Sequence, residues 1–317
     1  MKTIRGARFV SVVRLMVLGC ICAAPSAVLS QGDGSRQIVL DEFTRARPAT
    51  SAKAQPPAKG PRRRPPAVAK APRYVRKTPS VIATLEPGSP TMDIGVTIWR
   101  LRPSAGIDGG ARVLVQESAQ TTEWTPQRIE ADTPLRVGER VRLTIESPRA
   151  GYVYVIDREQ YADGTFGDAR LIFPTKRTRD GNNEVKAGQL IYIPPPPRSF
   201  RVRPGQAEKP PVAEILTLLV SSQPLIDHAQ LGDRAMLLTR EQVEGWEKQW
   251  GMQPTKFELT GGAGRTMTDK EQAAGKDDTE LNQDDPAPQT IYRVAIKPEA
   301  PLLVTVRLPY GYASSKQ

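Results

Sequence analysis

The sequence is poor in the residues on which catalysis by thiols, imidazoles and bound metals depends. It contains two cysteines, Cys20 and Cys22, and one histidine, His228, among 317 residues. Both cysteines lie in a leader that we predict to be removed, so the mature chain has no thiol for a disulfide or a Cys-based zinc site. A Ser-His-Asp triad would have to use His228, yet no Gly-x-Ser-x-Gly turn precedes it. We predict that His228 is a surface residue and that no cofactor is bound.

Aromatic residues are scarce, and the chain beyond the first 80 residues has no net positive charge. Aromatics make up 6% of the chain, and the net charge of +11 divides into +4 for residues 1–30, +9 for residues 31–80 and −2 for the remainder. A nucleic-acid-binding domain carries Lys and Arg on a folded face, together with aromatics that stack on bases. The composition therefore indicates that nucleic acid is not a partner.

The apolar run nearest the start of the sequence, residues 15–24, is too short to cross a membrane as a helix, which needs about 20 residues. Four basic residues precede it, and mostly small residues follow it up to Ser30. This order predicts a secretory signal peptide over residues 1–30, cleaved after Ser30, and an exported protein that is periplasmic or extracellular. A lipoprotein signal that lipidates Cys20 is the alternative.

Residues 31–90 are rich in proline and basic residues, with eight prolines between positions 48 and 79. Such a composition buries too little apolar surface to offset the entropy of ordering, so it predicts a disordered tether. The tether is interpreted as a spacer that holds the domain off a surface. The alternative is a polybasic arm that contacts anionic membranes or polymers through residues 48–79, with Arg62, Arg63 and Arg64 as its densest point.

Alternating apolar residues then predict a series of β-strands. Val141, Leu143 and Ile145 alternate with polar residues, and a second strand follows the turn at residues 147–151, so that the two are expected to form a hairpin. Residues 215–220 are apolar on both faces and should form the most buried strand.

These strands carry a resemblance to a known bacterial family. The segments VGERVRL, GYVYV, LIFP and AGQLIYIP, and the closing segment EILTLLVSSQPL, occur in this order between residues 134 and 225. In this they resemble the domain of unknown function number 4384. The resemblance implies a β-rich accessory domain of exported or envelope-associated proteins, for which no catalytic residues are established.

The whole folded part is expected to be mainly β: one antiparallel β-sandwich-like domain over residues 91–310 with one inserted amphipathic helix. Trp99 should anchor the core. The helix is predicted over residues 239–250, with Thr239 as its cap and a stripe of apolar side chains that packs on a sheet, although docking of a partner is the alternative. An acidic disordered loop is predicted over residues 261–288, and a C-terminal hairpin over residues 289–308.

Carboxylates provide the remaining candidates for chemistry. Asp157, Asp163 and Asp168 surround one loop and could hold a calcium ion, although Asp is also a common turn residue and the spacing does not match an EF-hand. A hydrolase with paired carboxylates could draw on Glu139, Glu146 and Asp157, but the sequence does not place any two across a cleft. We therefore assign no catalytic residue.

The function expected from the sequence is a non-enzymatic envelope interaction or structural module, with an envelope protein or a cell-wall polysaccharide as its partner. Tyr152, Tyr154 and Tyr192 are the candidate binding residues because tyrosine suits recognition surfaces. Alternatively, the three rings belong to the core. Two further alternatives are a secreted cell-wall hydrolase and a regulatory or sensory partner of another envelope protein.

Overall fold

Two β-sheets pack face to face in the computed structural model, which describes residues 34–49, 73–77, 90–106, 108–117, 120–203, 210–275, 279–295 and 299–311. Branched aliphatic side chains from both sheets fill the space between them, among them Val96, Ile145, Val155 and Leu218. The strands are antiparallel apart from one short parallel pairing at an edge of the second sheet. The prediction of a mainly β fold with antiparallel sheets and few helices is confirmed.

The first sheet runs in the order β1-β14-β15-β2-β4-β3, and β6 pairs with β2 and carries β10 and β11 on its other side. Its strands are β1 (Arg73–Arg76), β2 (Thr91–Pro103), β3 (Val113–Glu117), β4 (Gln120–Ile129), β6 (Arg140–Glu146), β10 (Leu190–Ile193), β11 (Phe200–Arg201), β14 (Thr255–Thr260) and β15 (Thr290–Ala295).

The second sheet runs in the order β13-β8-β7-β12-β16-β5, and the short β9 pairs with β7. Its strands are β5 (Leu135–Arg136), β7 (Gly151–Tyr161), β8 (Arg170–Phe173), β9 (Glu184–Val185), β12 (Pro211–Ser221), β13 (Met236–Leu237) and β16 (Leu302–Gly311). The centre of β12 is closed to solvent on both faces, as its sequence predicts, because Leu218, Leu219 and Val220 are all fully buried.

Two predicted hairpins do not form, because in each case the chain changes sheet between the strands. β6 belongs to the first sheet and β7 to the second, and the same holds for β15 and β16. Alternation identifies the apolar face of a strand but not the sheet to which the strand belongs. In each predicted hairpin, the apolar faces of the two strands point into the same core from opposite sides of it. β15 does extend the sheet begun by β2, as expected, with Thr290 opposite Val96.

The predicted helix is confirmed as α2 (Arg240–Trp250), and the Oγ1 atom of its cap Thr239 accepts a hydrogen bond from the backbone N–H of Gln242 at 3.1 Å. Val243 is buried, and the stacked rings of Trp246 and Trp250 pack against the outer face of the second sheet. The apolar stripe of α2 therefore contacts the sheet. No helix in the described part of the chain is long and apolar enough to cross a membrane.

The disorder predicted for residues 31–90 is wrong for two stretches. Residues Gly34–Arg45 form helix α1, and Arg73–Arg76 form β1 at the edge of the first sheet. Phe43 and Tyr74 are buried together in an apolar cluster with side chains of β14 and β15. Burial against the first sheet supplies the stabilisation that the composition of this segment alone does not. Arg62, Arg63 and Arg64 lie outside the described residues.

The acidic loop predicted over residues 261–288 is also wrong in part, because Asp269–Ala274 form helix α3. A complete capping box starts it: Thr268 Oγ1 accepts from the N–H of Glu271, and Glu271 accepts from the N–H of Thr268. The buried Glu271 carboxylate also forms an ion pair with the buried Arg128 of β4. Helix α3 is therefore an ordered cover of the first sheet, attached to β4 through this buried ion pair.

Candidate functional site

A groove of about 750 Å³ crosses the outer face of the second sheet beside the end of α2. Strands β12 and β16 supply its floor through Ile215, Leu303 and Thr305, and the segment after α2 supplies one wall. Ligand-binding clefts in proteins typically enclose about 300–1,000 Å³. The groove is therefore large enough for a short extended segment of a partner.

Two large apolar side chains lie exposed along this groove. Phe166, in the loop after β7, is 39% exposed, and Met252, after α2, is 51% exposed. The guanidinium of Arg158 lies 4.6 Å from the centre of the Phe166 ring, which holds the ring in place without covering it from solvent. An adjacent cavity of about 260 Å³ shares Arg158 and Phe166 with the groove. Exposed apolar side chains beside a cleft are typical of interaction surfaces.

The lining of the groove contains more cations than carboxylates. The cations are Lys77, Arg158, Lys256 and Arg307, and the carboxylates are Asp132 and Glu247. Arg158 pairs with Glu247, Lys256 pairs with Asp132, and Lys77 pairs with Glu130 beside the groove. The exposed Arg307 has a neutral partner, because its Nε donates to Gln160 Oε1 at 3.0 Å. The groove therefore favours a partner with negative charge.

A second site lies inside the sandwich, where strands β7, β12 and β16 bring two carboxyl groups and a phenol together. Asp157 and Glu214 line a cavity of about 110 Å³ with Tyr310, and most of its other lining is apolar. The two carboxyl groups are in hydrogen-bonding contact, and the Tyr310 hydroxyl donates to Glu214. One buried oxygen of each carboxyl, Asp157 Oδ1 and Glu214 Oε2, receives no hydrogen bond from any described donor.

Burial controls the ionisation of this pair. Burial raises the pKa of Asp157 well above its ordinary value, and the Glu214 carboxyl beside it adds to the rise. Burial also raises the pKa of Glu214, although the hydrogen bonds from Tyr310 and Asp157 oppose the rise. Two carboxyl groups in contact titrate as one unit, so the pair retains a proton above the pH at which free carboxyls ionise.

Residues 134–224 match the family model described as Domain of unknown function (DUF4384). No curated protein and no solved structure shows a significant match to this chain. The DUF4384 segment supplies both carboxyls of the pair and Phe166. Its strands also depend on partners outside it, because β12 pairs with β16 and β6 pairs with β2.

The other two carboxylates considered for a hydrolase lie in the DUF4384 segment, and each pairs with an arginine outside it. Glu146 is bound by the buried Arg47, with Nε to Oε1 at 2.7 Å, and Glu139 pairs with Arg100 at 3.2 Å. Asp157 instead contacts Glu214, which was not among the residues predicted from the sequence. Alternation in β12, where Glu214, Leu216 and Leu218 point to the same side, was the signal that could have located it.

The prediction that three tyrosines form a binding surface is wrong for two of them. Tyr154 is 2% exposed and Tyr192 is 5% exposed, and they lie in different sheets. Their hydroxyls bond inside the fold: Tyr154 Oη accepts from the N–H of Leu225 at 2.8 Å, and Tyr192 Oη donates to the carbonyl of Glu271 at 2.7 Å. Tyr152 is half-buried and packs beside Tyr154. Their rings therefore belong to the core.

Replacing Tyr192 by Phe should lower the free energy of unfolding by about 1 kcal/mol, because it removes a buried hydrogen bond to the backbone of α3. The matched control is Tyr152→Phe, since no hydrogen bond of the Tyr152 hydroxyl is recorded within the described ranges. Urea unfolding of both variants measures the difference. Equal losses of unfolding free energy in the two variants would contradict the assignment of a stabilising buried hydrogen bond to Tyr192.

The calcium candidates do not come together. No three Asp, Glu, His or Cys side chains of the described residues form a group suited to a metal ion. Asp163 instead accepts from the N–H and hydroxyl of Thr165 in a local turn, and Asp168 lies 3.5 Å from Arg170. His228 is exposed, as predicted, and its Nε2 lies 2.9 Å from the carbonyl of Asp180.

Proposed function

We propose that this chain is an exported, non-enzymatic interaction module of the cell envelope, and that the groove beside α2 is its binding surface. The observation that carries this proposal is the exposure of Phe166 and Met252 along a groove of about 750 Å³. The excess of cations in the lining favours an acidic segment of an envelope protein over a neutral polysaccharide.

Export rests on the pattern of residues 1–30, with its basic start, its apolar run and the small residues before Ser30. Those residues lie outside the described part of the chain. We propose that the mature protein is periplasmic or extracellular, and that Cys20 lipidation is the alternative. Amino-terminal sequencing of the mature protein distinguishes a chain that begins at residue 31 from one that begins at residue 20.

A cell-wall hydrolase is less well supported. Glycosidases hold their two carboxyl groups about 5–10 Å apart so that a sugar and a water fit between them. Asp157 and Glu214 instead contact each other in a cavity of about 110 Å³, which is below the size of ordinary ligand pockets. A regulatory or sensory role remains compatible with the groove, because such a role also needs a surface for a partner.

Negative charge introduced into the groove should weaken binding of the partner. The double variant Phe166→Glu with Met252→Glu should lose capture of its envelope partner by at least about tenfold, since it places two carboxylates on the apolar contact surface. Leu114→Glu is the matched control, because Leu114 is 55% exposed on β3 of the first sheet. The measurement is crosslinking to isolated envelopes, followed by quantification of each captured species.

Equal capture by the double variant and the control would overturn the assignment of the groove. A further variant, in which a neutral linker of the same length replaces residues 50–72, tests the polybasic arm separately. If this variant alone loses capture, binding belongs to the basic segment and its anionic membrane or polymer, and the proposed groove is wrong.

A further inference from the structure

The carboxyl pair lies at the end of the sandwich where the last described strand leaves the core. Tyr310, the penultimate residue of β16, pairs with Leu135 of β5 in the short parallel contact, and its hydroxyl bonds to Glu214. Phe200 and Val202 close the other side of the cavity. The side chain of Glu214 is therefore joined directly to the end of β16.

No cation of the described residues neutralises the pair by contact. Within the described ranges, neither Asp157 nor Glu214 forms an ion pair. Glu159, on the same strand as Asp157, adds negative charge near both carboxyls. Arg170 of β8 attracts the ionised form of Asp157 from a distance, and Arg201 of β11 contributes to the cavity wall. The electrostatic environment therefore opposes a second negative charge.

We propose that Asp157 and Glu214 share one proton, and that this proton is a pH-sensitive latch holding the end of β16 against the mouth of the cavity. With one carboxyl protonated, its O–H donates to the other, which satisfies the two buried oxygens that lack a donor. With both ionised, two negative charges face each other in a largely apolar site, and their repulsion is strong because little water screens it.

The direction of the pH effect follows from proton binding. The folded pair holds its proton more tightly than the unfolded chain does, so its contribution to stability is complete below the ordinary carboxyl range. That contribution falls as the pH rises through the raised pKa of the folded pair. The end of β16 is therefore closed in acid and opens as the surroundings become alkaline.

The variant Asp157→Asn distinguishes the effect of the shared proton from that of side-chain packing. The amide of asparagine can donate to the Glu214 carboxylate at every pH, so the contact persists without a shared proton. In the wild type, we expect hydrogen-exchange protection of the backbone amides of residues 302–311 to fall about tenfold for each pH unit between the pKa of a free carboxyl and the raised pKa of the folded pair, and to level off above it. In Asp157→Asn, corrected protection should stay constant between pH 5 and pH 9.

Glu123→Gln is the control, because it removes a carboxylate whose side chain is 53% exposed, and it should keep the wild-type profile. Constant protection in the wild type, or the same fall in Asp157→Asn, would overturn the proposal. If Asp157→Asn does not fold, infrared spectroscopy of the wild type decides. A protonated carboxylic acid band that persists above the ordinary carboxyl range, disappears on further raising the pH and is removed by Glu214→Gln supports the latch, and the absence of such a band refutes it.

Discussion

Replacing Arg47 by Ala should destabilise the protein by about 3–5 kcal/mol, because the substitution leaves the carboxylate of Glu146 buried without its counter-charge. The side chains of this pair are 0% and 2% exposed. The guanidinium donates twice to Glu146, at 2.7 and 2.8 Å. Its other bonds reach the carbonyls of Asn282, Asp285 and Pro286, so every N–H of the guanidinium has a partner.

Two further variants test whether the unpaired buried charge causes this loss of stability. Arg112→Ala should cost less than about 1 kcal/mol, because the Arg112–Glu123 pair is exposed on the surface. The double variant Arg47→Met with Glu146→Met should recover much of the loss, since it leaves no buried charge unpaired. Denaturant unfolding measures all three. A loss for Arg47→Ala as small as that for Arg112→Ala would mean that the segment before residue 50 does not contribute to the fold.

Replacing Trp99 by Ala should cost about 3–5 kcal/mol, because it creates a large cavity on the outer side of the first sheet. Trp99 is fully buried beside Met267 and Tyr192. Its indole Nε1 donates to Thr144 Oγ1 at 3.0 Å, and the guanidinium of Arg128 lies 5.3 Å from its ring centre. The substitution therefore removes packing, a buried hydrogen bond and a cation–π contact together.

Trp99→Phe and Trp124→Ala are the controls for this effect. Phenylalanine keeps most of the packing and loses the hydrogen bond, so Trp99→Phe should cost clearly less than Trp99→Ala. Trp124 is half-buried at the margin of the same cluster, so its removal should cost less than that of Trp99. Thermal unfolding monitored by circular dichroism ranks the variants. A larger loss for Trp124→Ala would show that Trp99 is not the anchor of this face.

The strands could be predicted from the sequence, but their partners could not. Alternation located β6, β7 and β12 because one face of each strand meets the interior. It did not distinguish one sheet from the other, because Leu143 of β6 and Val155 of β7 belong to the same core and approach it from opposite sides. Assignment to a sheet depends on hydrogen bonds to distant strands, such as that of β7 to β12, and no local pattern records these.

Helices α1 and α3 were missed for a different reason. Both lie in segments whose polar composition predicts disorder, and each is held by an arginine–glutamate pair that joins distant parts of the chain. Arg47 is 99 residues from Glu146, and Arg128 is 143 residues from Glu271. Composition measures how much apolar surface a segment can bury, and it does not measure a contact that a distant residue supplies.

The candidate site was predictable only in its residue types. The sequence placed Asp157 on a strand but could not supply Glu214 as its neighbour, because only the pairing of β7 with β12 brings the two into diagonally adjacent positions. The tyrosines were wrongly predicted to form a binding surface because a phenol suits a surface and a core equally well. For Tyr192, the hydrogen bond to the backbone of α3 places the side chain in the core. Phe166 and Met252 carry no sequence signal of their exposure.

The position of α1 changes how the proline-rich stretch can act. Residues 34–49 and β1 are attached to the same sheet, so residues 50–72 join two points of one folded body and cannot extend the reach of the domain from an anchor. Cleavage within that stretch should not release the amino-terminal fragment at once, because the Arg47 contacts and the apolar face of α1 hold it without a covalent link. A chain shortened to begin at residue 73 should accordingly bind a separate peptide of residues 34–49 and regain stability, and Arg47→Ala in that peptide should abolish the rescue.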